Sequence, residues 1–95
     1  MNLVNKKIEE SLIGVGFSFL QSDCGWYYWQ FNNSPDEVLF PDLDHAIEAA
    51  ADQAGQLLAD SGIYPIEKWR ELIAKDKATL LRLHAHQFDI ANITN

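Results

Sequence analysis

VGFSFLQSDCGWYYWQF, residues Val15 to Phe31, is two apolar runs separated by Asp23-Cys24-Gly25, and the way the runs face each other decides the fold. A three-residue loop with glycine in the left-handed position is a common hairpin closure. With that closure Ser22 stands opposite Trp26, Leu20 opposite Tyr28, Phe19 opposite Trp29 and Phe17 opposite Phe31. Alternate residues of a strand point to opposite faces, so this register sorts the aromatic block into two sets. One face collects Phe17, Phe19, Tyr27, Trp29 and Phe31 and is the expected core face. The other collects Ser18, Leu20, Ser22, Trp26, Tyr28 and Gln30, a mixed surface.

Working outward, NNSPD (32–36) is a turn cluster and EVLF (37–40) reads as a third strand with Val38 and Phe40 on one face. Strands over 15–22, 26–31 and 37–40 make a three-stranded antiparallel meander. The next segment, 42–60, is the clearest helix. Leu43, Ala46, Ile47, Ala50, Ala54, Leu57 and Leu58 form one apolar stripe, and Asp42 and Asp44 suit the positive end of the helix dipole. Gly62, Ile63 and Pro65 then supply a left-handed cap, an apolar return and a helix start. A helix over 65–88 presents Ile66, Trp69 and Ile73, then Leu80 or Leu81, His84 and Phe88. It either runs unbroken or divides at the Lys75-Asp76-Lys77 interruption, near 75–77, with Asp76 then capping the second piece, and 89–95 reads as a tail. Upstream, Val4, Ile8 and Leu12 mark a short helix over 3–13 that Gly14 stops.

Strands followed by helices indicate an α+β fold: a small single domain, residues 1–95, with a short N-terminal helix, the meander, and two or three helices packed on one sheet face. Alanines at 46, 50 and 54 let the long helix come close to the large aromatic side chains.

Charge narrows the function. A formal net charge of −7 and a pI of about 4.6 oppose direct nucleic-acid binding, which needs clustered Lys and Arg. One cysteine, Cys24, leaves no internal disulfide and no multi-cysteine zinc site. MNLVNKKIEES carries charges where a signal sequence needs an apolar stretch, and no apolar run is long enough for a membrane span. A cytoplasmic protein is therefore expected.

Chemistry-bearing clusters are sparse. His45 and Glu48 lie one helical turn apart beside Asp44, but zinc needs three or four ligands and no others converge there. His84 and His86, with Asp89 beyond, point about 200° apart on a helix and cannot share a metal. Cys24 at a hairpin tip has no base or pocket beside it, and no phosphate loop, nucleophile elbow or metalloprotease pair is present. The expectation is a protein with no catalytic residues, metal or cofactor.

Two surfaces remain. Asp44, Glu48, Asp52, Gln56 and Asp60 recur at every fourth residue, and residues 42–64 contain five acids and no Lys or Arg. This ridge is either a solvated face that keeps the protein soluble or a docking surface for a basic groove. Leu20, Trp26, Tyr28 and Gln30 form the second candidate, an aromatic sheet face; Trp and Tyr are enriched at binding hot spots. A helix covers this face, a second copy does, or a foreign protein does. The leading expectation is a small acidic non-enzymatic module that binds another protein, as an inhibitor occupying a basic surface of nucleic-acid-handling machinery. Anti-CRISPR and anti-restriction inhibitors, immunity proteins and antitoxins act in this way as classes. The alternative is a homodimeric structural module of bacterial or phage origin that uses the aromatic sheet face as its own interface.

Overall fold

The computed structural model describes residues 3–32, 34–35, 38–86 and 88, the side chains of 3–5 and 35 excepted. The order is α1 (Leu3–Gly14), β1 (Phe17–Gln21), β2 (Tyr27–Phe31), the two-residue β3 (Ser34–Pro35), α2 (Leu43–Asp60), α3 (Ile66–Glu71) and α4 (Ala74–Leu83), a small α+β domain built on two full antiparallel strands with β3 as a short edge. Its radius of gyration, 12.8 Å, is close to the roughly 12.4 Å expected for a compact chain of this length.

The hairpin has the register that its turn dictates. Phe17 pairs with Phe31, Phe19 with Trp29 and Leu20 with Tyr28. Ser22 N–H donates to Trp26 O at 2.7 Å and Gly25 N–H to Ser22 O at 3.0 Å, with Gly25 at φ 89°. On the inner face Phe17 is buried, its ring meeting Trp29 edge-on at 5.4 Å and Phe31 at 4.7 Å. Phe19, Trp29 and Phe31 pack against the buried core; Tyr27, expected beside them, is half-buried and is not among the side chains packed there.

Among the described residues the expected third strand over 37–40 does not form; the third segment of the sheet is Ser34–Pro35 instead. Asn32 takes a left-handed conformation (φ 52°), so the chain reverses at once. Ser34–Pro35 meets Phe31 and Gln30 as a two-residue edge. By the time the chain reaches Phe40 only a single bridge to Tyr27 forms, with bonds of 2.8 and 2.7 Å. Val38 and Leu39 are not strand, and positions 36 and 37 lie outside the described residues.

Helix α2 lays Ala46, Ile47, Ala50, Ala51, Ala54, Gly55 and Leu58 against the core. The alanines allow the close approach to the aromatic face, and Gly55 brings α2 close to α3. A Cβ at position 55 would fall on the indole of Trp69, which is fully buried. The helix ends as its sequence predicts, with Ile63 N–H returning to Leu58 O at 2.9 Å. On α1, Ile8 and Leu12 are buried; the side chain of Val4 lies outside the described residues.

The C-terminal segment does break, but at Leu72–Ile73 and not at 75–77. Both residues are extended, with ψ 145° and 161°. Asp76 sits inside the first turn of α4 and caps nothing; the N-cap is Ile73, which has no side-chain cap bond. The break turns the chain so that Trp69 from α3 and Ala78 and Leu81 from α4 all reach the core, while Ile73, expected inside, is 64% exposed. Phe88 is buried and its ring meets Phe31 at 6.3 Å. The tail expected over 89–95 lies outside the described residues.

Candidate functional site

With the helices on the inner side of the hairpin, the outer side of β1 and β2 decides what a partner could meet. Leu20 is 36% exposed and Trp26 46% exposed, so none of the helices covers them. Tyr28, paired with Leu20 across the strands, and Gln30, paired with Ser18, are half-buried. Beyond the hairpin, Val38 and Leu39 are 52% and 43% exposed. Strand alternation in EVLF puts Leu39 on this outer side and Val38 with Phe40 on the other; the structure exposes both Val38 and Leu39.

At the tip of the same hairpin Cys24 is exposed, with its Sγ 2.9 Å from Ser22 Oγ. The hydrogen bond with Ser22, supported by the Trp26 backbone, holds the thiol below its ordinary pKa.

The acidic row divides when placed in space. Four residues span roughly 400° of helix, so each member sits about 40° further round than the last. Asp44, at the core-facing end, is half-buried, and its Oδ1 is enclosed with no hydrogen-bond partner among the described residues. Glu48 is exposed and borders a cavity of about 310 Å³ that Ile8, Ile47 and Lys77 also line. Asp52 lies 3.5 Å from Arg70 Nε of α3, a partner that no pattern within α2 announces. Asp60 accepts from Gln56 Nε2 at 2.9 Å. The row is thus a winding band, partly neutralised at its middle.

At the start of the band, Asp42 accepts from the His45 backbone N–H at 2.8 Å, and its Oδ1 lies 2.7 Å from His45 Nδ1. Those two bonds hold the Asp42 carboxyl below its ordinary pKa, and the same carboxylate raises the His45 imidazole. Two residues of the ring's own carboxylate surroundings, Glu48 and Asp44, add to the upward shift. His45 is thereby engaged as part of a helix cap. His84 closes α4 and is half-buried, while His86 is exposed. Among the described residues no three His, Cys, Asp or Glu side chains come together as metal ligands, and no helix is long and apolar enough to cross a membrane.

No protein-family model, curated protein or solved structure matches this chain.

Proposed function

We propose that this chain is a non-enzymatic, cytoplasmic binding module that docks the outer face of its hairpin on a basic surface of another protein. The carrying observation is the exposure of Leu20 and Trp26 on a face that no helix covers. Aromatic side chains in such positions commonly supply hot-spot affinity. Charge selects the occupant. Residues 8–67, which include the hairpin and α2, contain eleven acids and no Lys or Arg. Two copies of a chain with net charge −7 repel each other, whereas a basic partner is steered in. A partner surface built to hold nucleic acid meets this description, which makes the chain an inhibitor of nucleic-acid-handling machinery in the manner of anti-CRISPR, anti-restriction, immunity or antitoxin proteins.

The test pairs capture from the native cell with a Leu20→Ser/Trp26→Ser variant. The expected result is a partner of basic surface whose affinity falls at least about tenfold in the variant, with an unchanged thermal midpoint and with nucleic acid competing for the partner. Sedimentation provides the opposing outcome: a tight homodimer that buries Trp26 removes the foreign partner from this face and makes the chain a self-associating structural module.

A further inference from the structure

The strongest unassigned feature lies away from the hairpin, where α1 meets α4 across a cleft of about 490 Å³. Clefts of that size hold small molecules. Its floor is apolar, formed by residues that include the buried Val15 and Ala78. Around it stand Lys7 from α1 and Lys75 and Arg82 from α4, against a single carboxylate, Glu10. Lys75, Ala78, Thr79 and Arg82 follow the spacing that places residues on one face of a helix.

In a chain with seven basic residues and a net charge of −7, three cations around one concavity need a reason. Helix stability does not provide one for Lys75, which lies in the first turn of α4, where the helix dipole disfavours a positive charge. Nor do ion pairs: among the described residues, the pairs formed are Asp42 with His45 and Asp52 with Arg70. The two hydroxyls of the lining are already turned to their own helices, Ser11 donating to Lys7 O and Thr79 to Lys75 O, each at 3.1 Å. The ammonium and guanidinium groups are therefore the donors left for a guest.

We propose that the α1–α4 cleft binds a compact organic polyanion, whose phosphate or carboxylate groups are held by Lys7, Lys75 and Arg82 while its body covers the apolar floor. Arg82 offers a two-pronged contact to such a group and the lysines act as point charges. The site does not depend on the hairpin face, so failure of either assignment leaves the other standing.

Titration of the isotope-labelled chain, followed by amide resonances at low salt, tests the assignment with three probes. Adenosine monophosphate presents a phosphate on a body, citrate presents carboxylates, and adenosine presents a body without charge. Saturable shifts at Lys7, Ser11, Ala78, Thr79 and Arg82 with either anion, and none with adenosine, are expected; which anion binds distinguishes phosphate from carboxylate. Lys75→Gln/Arg82→Gln should weaken that binding about tenfold or more, whereas Lys68→Gln on α3 should leave it unchanged. If the double variant loses its helical signal, Lys75→Gln alone carries the comparison. No saturable shift with either anion, shifts that map elsewhere, equal binding of adenosine, or full affinity in the folded variant would each overturn the proposal.

Discussion

Replacing Gly55 by alanine sets two residue-scale effects against each other. Alanine is worth about 1 kcal/mol more than glycine inside a helix, so propensity alone favours the change. The added methyl would occupy space held by the indole of Trp69, and that ring is fully buried, with Lys77 Nζ 5.7 Å from its centroid. Overpacking a filled core costs about 1–3 kcal/mol. The expected outcome in urea denaturation is a net loss of stability for Gly55→Ala of up to about 2 kcal/mol, and a gain would mean that the indole can move aside. Trp69 was legible as a core residue from its apolar spacing. Gly55 was not, because a glycine inside a helix shows its purpose only once the ring resting on it is known. Arg70 eluded the sequence for a similar reason: its partner Asp52 is on another helix.

At the scale of elements, the Asp42 cap of α2 makes stability depend on pH in a definite direction. The Asp42 carboxyl is depressed, so its contribution is present above the ordinary value of 3.8 and fades as pH falls through the lower folded value. The His45 imidazole is raised, so its contribution is complete below the ordinary value of 6.5 and is lost as pH rises through the higher folded value. Both partners contribute together between those two ordinary values. The thermal midpoint of Asp42→Ala should therefore lag the native chain most in that window, and the gap should narrow at higher pH as His45 loses its proton. Asp42→Asn keeps an acceptor for the helix N–H and should lose the pH dependence while retaining most of the cap. A gap that is flat with pH would show that the imidazole takes no part.

The same scale separates what local sequence specifies from what it does not. The hairpin register was readable because the Asp23-Cys24-Gly25 loop sets it, and the start and end of α2 because Asp42 and the Gly62–Ile63 return are chemical signals. The third strand expected over 37–40 is displaced: a left-handed Asn32 completes the reversal by Ser34, the pairing falls on Ser34–Pro35, and Phe40 keeps one bridge. The break between α3 and α4 falls in Leu72–Ile73, two residues without polar punctuation. Only the need to bury both Trp69 and Leu81 sets it there. Of the candidate surfaces, Leu20 and Trp26 were legible from strand alternation, whereas the cleft required the tertiary pairing of α1 with α4.

For the molecule as a whole, the distribution of charge matters more than its sum. All seven Lys and Arg residues lie at positions 6–7 and 68–82, leaving the hairpin and α2 with carboxylates and no Lys or Arg. A protein partner should respond to that field mainly through its rate of association. Because one oxygen of Asp44 is enclosed, the informative charge reversal omits it and takes Glu48, Asp52 and Asp60 to lysine. At low salt that variant should associate with the partner roughly ten times more slowly, with little change in dissociation. The difference should shrink as the ionic strength passes about 0.1 M, where screening acts over about 10 Å. Equal association rates at low salt would leave the acidic band as a device for solubility alone.

The three tryptophans stand at three depths: Trp69 sealed, Trp29 half-buried and Trp26 open to solvent on the face proposed for docking. Their emission therefore divides by position, a blue-shifted and shielded component from the interior and a red, quencher-accessible one from Trp26. The protein carries an optical gauge at its outer face, and a change in the red component reports occupancy there without any attached label.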